Sequence, residues 1–168
     1  MNICVYGAAS SKIDDSFKEA GIKLGKKMAK RNIGLVFGGG RNGMMGAVAE
    51  GIAAENGHIL GISPAFFEQS NAEISFPHCT EFIHTETMRE RKRLLEEKSD
   101  AFIISPGGIG TFDEFFEILT LKQLGRHNKA ICIFNVDGYF DKMLEMMQVC
   151  VDKYFITEDC RCLYKVYK

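Results

Sequence analysis

The sequence predicts an α/β fold in which a doubly wound parallel sheet carries helices on both faces. Two observations support this fold class. Short apolar segments bounded by glycine alternate with helical patterns along the chain, and several of these segments lead into glycine-rich turns. The 168 residues, 46% of them hydrophobic, suffice for one hydrophobic core, and we expect residues 1–168 to form a single domain.

Six apolar segments have the length and composition of buried strands, and five segments of helical periodicity lie between or after them. The predicted strands are residues 3–7, 35–38, 59–63, 81–84, 101–105 and 130–135. The predicted helices are residues 15–31, 44–56, 86–98, 112–124 and 139–155. Since helices are the usual crossover connections between parallel strands, this order predicts a Rossmann-like sheet.

Glycine and proline mark the ends of these elements. Gly57 and Gly125 each follow a predicted helix, where the chain often needs a left-handed residue. The segment 64–77 shows neither periodicity and is predicted to be a long irregular loop, of a kind that often serves binding. The turns after three strands, including residues 7–10, are expected to meet in one crevice, because ligands of such sheets bind beyond the carboxyl ends of the strands.

Charge and cysteine placement exclude several classes of function. The formal net charge is −1, from 21 basic and 22 acidic side chains, which gives no general reason to bind nucleic acid or a membrane surface. The N-terminal residues do not resemble a signal peptide, and no apolar run approaches the roughly 18 residues of a membrane span. Cys4 and Cys132 lie in predicted strands, which favours reduced thiols and a cytoplasmic protein. The spacing of Cys160 and Cys162 fits no zinc site, and no metal is expected.

The most informative motif is Pro-Gly-Gly-Ile-Gly-Thr-Phe-Asp-Glu at residues 106–114, which follows a predicted strand and opens a helix. Glycines let the backbone approach an anion, and the first N–H groups of the helix point toward it. This arrangement predicts a phosphate site with the Glu114 carboxylate beside it. Thr111 and Glu114 also match a capping box, in which both side chains bond to helix N-terminal amides, and local sequence alone favours that interpretation.

A second glycine motif, at residues 38–43, formally matches the dinucleotide pattern G-x-G-x-x-G. It follows the second strand, and the next strand ends without the acidic residue that would bind a ribose. A nicotinamide-dependent oxidoreductase is therefore only a minor alternative. Gly39 and Gly40 are candidates for a phosphate or ribose contact, and a tight strand-to-helix turn explains them equally well.

The helix at residues 86–98 places two cations on one face with apolar side chains. Met88, Arg91, Lys92 and Leu95 follow the spacing i, i+3, i+4, i+7. The two cations either extend along their stems to the surface or line the crevice and bind an anion, for which the planar fork of arginine is suited.

Together with Gly-Met-Met-Gly at residues 43–46 and Asn-Val-Asp-Gly-Tyr-Phe at residues 135–140, these motifs resemble the LOG ("lonely guy") family of cytokinin riboside 5′-monophosphate phosphoribohydrolases. The resemblance implies hydrolysis of the N-glycosidic bond of a purine nucleoside 5′-monophosphate, of adenine or cytokinin type, to free base and ribose 5-phosphate. It implies no cofactor. It also implies a homodimer with active sites near the subunit interface.

The resemblance makes Arg91 and Glu114 the catalytic pair, and it matches Lys92, residues 108–111 and Thr120 to substrate-contacting positions. With the residues that flank these motifs, the candidate substrate-binding and phosphate-binding residues are Gly39, Gly40, Met88, Lys92, Gly107, Gly108, Ile109, Gly110, Thr111, Phe112, Asp113 and Thr120.

A non-enzymatic carrier of a phosphorylated cofactor, such as the molybdenum cofactor, is the main alternative, because that group is similar in fold and glycine loops. Some relatives in the family carry a lysine decarboxylase label. Nothing in this sequence identifies a pyridoxal phosphate site, and we discount that activity.

Overall fold

The computed structural model describes residues 1–69 and 74–168, and its strands form one parallel sheet. The strands are β1 (Asn2–Tyr6), β2 (Gly34–Phe37), β3 (Ile59–Pro64), β4 (Glu81–Thr85), β5 (Ala101–Ile104), β6 (Ala130–Phe134) and β7 (Lys165–Tyr167). Their order is β4-β3-β2-β1-β5-β6-β7, with every neighbouring pair parallel. The chain thus winds outward from β1 in both directions, which confirms the predicted doubly wound sheet.

The helices that connect these strands are α1 (Asp15–Ala29), α2 (Gly43–Ala53), α3 (Ala65–Gln69), α4 (Met88–Glu97), α5 (Ile109–Gln123) and α6 (Asp141–Asp152). Two short 3₁₀ segments, Val136–Gly138 and Glu158–Leu163, follow β6 and α6. All five predicted helices are present. No helix within the described ranges is both long and apolar enough to pass through a lipid bilayer.

Two expectations about these elements were wrong, and one strand was missed. In the segment 64–77, predicted to be irregular, Ala65–Gln69 form α3, and residues 70–73 lie outside the described residues. Asn56, with φ of 56°, occupies the left-handed position after α2 in place of Gly57, because asparagine also tolerates this conformation; Gly125, with φ of 68°, occupies it after α5 as predicted. The strand β7 was not predicted, because its three residues are all exposed and too few to give a period.

Alternation along the strands divides the apolar side chains between two cores. In β1, Cys4 and Tyr6 face the core that contains Leu95 of α4 and Phe115 of α5. Val5, between them, faces the other core. Since α1 and α2 cover that second face, α4 and α5 lie together on the opposite side of the sheet. Side chains of α4 and α5 therefore meet above β1, close to its carboxyl end.

Candidate active site

A cavity of about 380 Å³ opens at the carboxyl edge of the sheet, within the size range of small-molecule sites. Residues 7–10 after β1, the first turns of α4 and α5, and α3 contribute to its walls. Of the three turns predicted to converge here, those at residues 7–10 and 106–108 do so, since Gly7 and Gly108 line the cavity, whereas no residue of the turn at 38–40 lines it. A larger cavity of about 830 Å³ lies between α1 and residues 134–141. We place the chemistry in the smaller cavity, because it contains the buried charged pair described next.

Arg91 and Glu114 form a buried ion pair in the wall of the smaller cavity. The Arg91 Nη1 atom lies 3.1 Å from Glu114 Oε1, and each side chain is only 8% exposed. Arg91 Nε donates to the Ile62 carbonyl at 3.3 Å. Its Nη2 atom fills the place where a Cβ on Gly38 would stand, so a larger residue at position 38 would displace the guanidinium. Arg91 therefore faces inward and lines the cavity, whereas Lys92 does not line it, so the crevice interpretation holds for Arg91 alone.

The capping-box interpretation of Thr111 and Glu114 is wrong. The helix α5 begins at Ile109, with Gly108 in extended conformation as its N-cap, so Thr111 is already the third residue of the helix. Thr111 is therefore not the N-cap residue, and Glu114, the sixth residue of the helix, is not at the third position that a capping box requires. The glycines allow the helix to begin three residues earlier than predicted. Glu114, 7% exposed, is thereby aimed at Arg91.

The glycine turn before α5 leaves its backbone open to a ligand. A Cβ on Gly108 or Gly110 would meet no atom within 4 Å, and both residues line the cavity. Two hydrogen bonds hold the turn in place. Ala8 N–H donates to the Pro106 carbonyl at 2.9 Å, and the Tyr139 hydroxyl donates to the Gly107 carbonyl at 2.7 Å. The first N–H groups of α5 have no acceptors within the helix, and they carry the positive end of its dipole. This end of the cavity is suited to a phosphate group.

The structure separates the predicted binding residues into two sets. Met88, Gly108, Gly110 and Thr111 line the cavity with the ion pair. The other eight predicted residues do not line this cavity: Gly39, Gly40, Lys92, Gly107, Ile109, Phe112, Asp113 and Thr120.

Local contacts explain several of these positions. Lys92 Nζ binds Asp113 at 3.1 Å and Glu117 at 2.9 Å, which ties α4 to α5 outside the cavity. Phe112 packs edge-on against Phe140 at a ring distance of 6.2 Å. Thr120 lies exposed farther along α5. These residues do not line the cavity of their own chain.

Two buried neutral groups lie near the ion pair, outside the lining of the cavity. Burial raises the pKa of the Tyr6 hydroxyl well above its usual value, and the nearby Cys4 and Glu114 raise it further. Burial also raises the pKa of the Cys4 thiol, again with a contribution from the charge of Glu114. Both groups therefore stay protonated at neutral pH and add no charge beneath the Arg91–Glu114 pair.

Sequence reasoning missed Met45 and Phe67, which also line the cavity. Met45 belongs to the Gly-Met-Met-Gly motif. This motif contributed to the family resemblance, but it did not indicate that Met45 lines the cavity. Phe67 lies on α3, in the segment predicted to be irregular, and no periodicity indicated that it faces a site. Tyr139, which holds the glycine turn, was visible in sequence only as part of the motif at residues 135–140.

The fold is that of Rossmann-like α/β proteins, and comparison with known proteins adds a family. A family model described as "Possible lysine decarboxylase" matches residues 45–168. The chain is 37% identical over 159 residues to the cytokinin riboside 5′-monophosphate phosphoribohydrolase LOG2 of Arabidopsis thaliana, covering 95% of the chain and 74% of that protein. It is 36% identical over 159 residues to the cytokinin riboside 5′-monophosphate phosphoribohydrolase LOG of Oryza sativa subsp. japonica, covering 95% and 65%. The chain belongs to this LOG family.

Solved structures resemble the chain at lower identity. A molybdenum cofactor binding protein from the phototrophic bacterium Rippkaea orientalis matches with a TM-score of 0.73 at 19% identity, covering 99% of the chain and 88% of that protein. The molybdenum cofactor carrier protein of Chlamydomonas reinhardtii matches with a TM-score of 0.71 at 17% identity, covering 99% and 89%. At these identities the likeness shows the shared fold alone.

The decarboxylase description does not fit the cavity. A pyridoxal phosphate enzyme needs a lysine that forms a Schiff base with the cofactor. Among the described residues that line the cavity there is no lysine, and Lys92 is paired with carboxylates outside it. We therefore derive no chemistry through pyridoxal phosphate at this site.

Proposed function

We propose that this chain is an N-glycosidase that hydrolyses purine nucleoside 5′-monophosphates, of adenine or cytokinin type, to free base and ribose 5-phosphate. The observation that carries the proposal is the buried Arg91–Glu114 pair beside the open glycine turn of α5. The names of the family's curated relatives agree with this reaction. The proposal includes the cytoplasmic location expected from the sequence.

The phosphate of the substrate binds at the N-terminus of α5. Gly108 and Gly110 expose their backbone there, and Thr111 adds a hydroxyl to the same wall. Anion binding at such a terminus uses both the free N–H groups and the helix dipole. Binding energy from the phosphate then fixes the sugar near Glu114, and remote binding energy of this kind lowers the barrier of the chemical step.

Glu114 performs the chemistry at the anomeric carbon. When the bond between this carbon and the base nitrogen breaks, its electron pair leaves with the base, and positive charge develops on the sugar. The Glu114 carboxylate stabilises that charge, and it orients and deprotonates the water whose oxygen forms the new bond to carbon. The proton given up by water balances the one that the departing base acquires.

Arg91 positions Glu114 and supplies its counter-charge. The Arg91 guanidinium is held by the Ile62 carbonyl on one side and by Glu114 on the other. This double attachment fixes the carboxylate at the cavity wall, as catalytic groups require for a productive geometry. It also brings a hydrogen-bond donor to the site for the substrate's sugar.

We further propose that the protein acts as a homodimer through α5. Ile109, Phe116 and Leu124 are 87%, 40% and 66% exposed and lie within one side of this helix. Thr120 is exposed on the same helix, nine residues or about 14 Å along the axis from Thr111. If Thr120 contacts substrate, as the family resemblance implies, a second copy must bring it to the cavity.

The function is tested by incubating the purified protein with AMP and with adenosine. We expect adenine and ribose 5-phosphate in equal amounts from AMP, and far slower release from adenosine, because adenosine lacks the phosphate that anchors the sugar. A carrier of phosphorylated ligands, the alternative consistent with the shared fold, would bind AMP and return it intact. That result would refute the hydrolase.

A further inference from the structure

The cavity has an apolar wall that the catalytic argument does not use. Met45 in the first turn of α2, Phe67 on α3 and Met88 at the start of α4 line it together. We propose that Phe67, flanked by these two methionines, is the surface against which the purine base of the substrate binds. This inference rests on the proposed function and assigns the base-binding part of the same site.

The order of the strands places this wall opposite the phosphate end. At the carboxyl edge of the sheet the neighbours run β3, β2, β1, β5. With about 4.8 Å between strands, the end of β3 lies roughly 14 Å from the end of β5. The glycine turn follows β5, whereas Phe67 follows β3 three residues after Pro64. A nucleotide with its phosphate at α5 therefore extends its other end toward Phe67.

The ion pair lies between these two ends. Arg91 is bonded to the Ile62 carbonyl of β3, packs against Gly38 after β2, and reaches Glu114 of α5. In a nucleoside monophosphate the glycosidic bond likewise lies between phosphate and base. Phosphate at α5 and base at Phe67 thus bring the bond to be broken to Glu114, so the assignment agrees with the chemistry.

The chemistry of the wall suits a flat, uncharged ring. An aromatic ring offers a face for stacking, and methionine sulfur is polarisable and packs favourably against aromatic groups. The Phe67 ring lies edge-on to the Phe66 ring, with centroids 5.0 Å apart and an interplanar angle of 85°, which leaves the Phe67 side chain in the lining of the cavity. Such a wall contacts any purine base through its face, and a bare sugar phosphate leaves it unused.

The test measures binding, so its result does not depend on turnover. AMP and ribose 5-phosphate are titrated by calorimetry into Glu114→Gln protein and into the same protein carrying Phe67→Ala, Phe67→Tyr or Phe66→Ala. We expect Phe67→Ala to weaken AMP binding about 5- to 100-fold, the range for losing one aromatic stacking partner of a base. Ribose 5-phosphate binding should change less than about twofold, because this ligand has no base to stack.

Two controls separate the ring from the helix that carries it. Phe67→Tyr keeps an aromatic face and should restore AMP binding, and Phe66→Ala, which removes a neighbouring ring outside the lining, should have a much smaller effect. Unchanged AMP binding in Phe67→Ala, or an equal loss for both ligands, would overturn the assignment. Failure of the wild-type protein to cleave AMP would instead refute the hydrolase. The binding comparison would still test whether the base binds against Phe67.

Discussion

At the scale of single residues, the Arg91–Glu114 pair is the feature that stability alone does not explain. Removing two charges from water costs several kcal/mol per ion, and apolar residues at such positions often stabilise a protein as well or better. Both side chains are 8% exposed, yet they lie in the wall of a cavity. The proposed hydrolysis, which needs a fixed, ionised carboxylate, accounts for their placement.

The sequence predicted part of this site at residue level. Its spacing with Met88 and Leu95 predicts that Arg91 either extends to the surface or lines the crevice, and the structure shows that it lines the crevice. Phe67 was not predicted to line the site, because a side chain on a five-residue helix leaves no periodic signal. The position of Lys92 outside the cavity depends on carboxylates of α5, which no pattern within α4 reveals.

The Tyr139 hydroxyl is expected to hold the glycine turn in its binding conformation. Tyr139→Phe removes the 2.7 Å bond to the Gly107 carbonyl and keeps the ring that packs edge-on against Phe17. Losing one such hydrogen bond costs about 0.5–1.5 kcal/mol, so we expect the KM for AMP to rise about 2- to 10-fold. Steady-state kinetics measures this, with Tyr154→Phe, at a 93% exposed position, as the control. An unchanged KM would show that the turn does not depend on this bond.

At the scale of elements, the start of α5 decides what the glycine motif does. Sequence rules favour threonine as an N-cap, and the predicted start at residue 112 followed from Thr111. In the structure the extended Gly108 is the cap, and α5 begins at Ile109. This difference of one turn converts Glu114 from a capping group into a partner of α4.

The contact between α4 and α5 through Lys92 gives a pH-dependent prediction. Burial lowers the pKa of Lys92, but hydrogen bonds and charges of Glu117 and Asp113 outweigh it, and the net pKa is raised above 10.5. A raised lysine pKa means that the stabilisation is complete below about pH 10 and is lost as the pH rises through the folded-state value. Lys92→Met should lower the free energy of unfolding by about 1 kcal/mol at pH 8, and this difference should shrink above pH 11.

Urea unfolding at several pH values measures this difference. Lys142→Met is the control, because Lys142 forms a similar pair with Glu145 on an exposed surface. It should have little effect on unfolding at any pH. A difference between the wild-type protein and Lys92→Met that stays constant from pH 8 to well above pH 11 would show that the ion pairs do not link the two helices energetically.

At the scale of the whole molecule, the sheet was predictable because its central strands are buried on both faces. Such strands form short, almost wholly apolar segments, and their alternation with helices leaves few topologies. The edge strand β7 lacked this signal, since all three of its residues are exposed. Assembly could not be predicted from periodicity either, because the exposure of an apolar residue such as Phe116 is known only once the helix is packed in the fold.

The proposed dimer predicts a specific effect of charge on α5. Phe116→Glu places a carboxylate between Ile109 and Leu124 on the exposed face of α5, and it should convert the dimer to a monomer. Analytical ultracentrifugation measures this, and Tyr154→Glu, at an exposed position in the turn after α6, should remain dimeric. A monomeric wild-type protein, or a dimeric Phe116→Glu variant, would contradict this assembly.

The most direct test of the account compares base release from AMP by the wild-type protein, Glu114→Gln and Glu117→Gln. Glu117 lies one turn farther along α5 and binds Lys92 outside the cavity, so it controls for loss of a carboxylate on the same helix. We expect Glu114→Gln to lose at least about 100-fold in rate while keeping its circular dichroism spectrum and its affinity for AMP, and Glu117→Gln to stay within about twofold. Adenine release by Glu114→Gln at the wild-type rate would contradict the central claim.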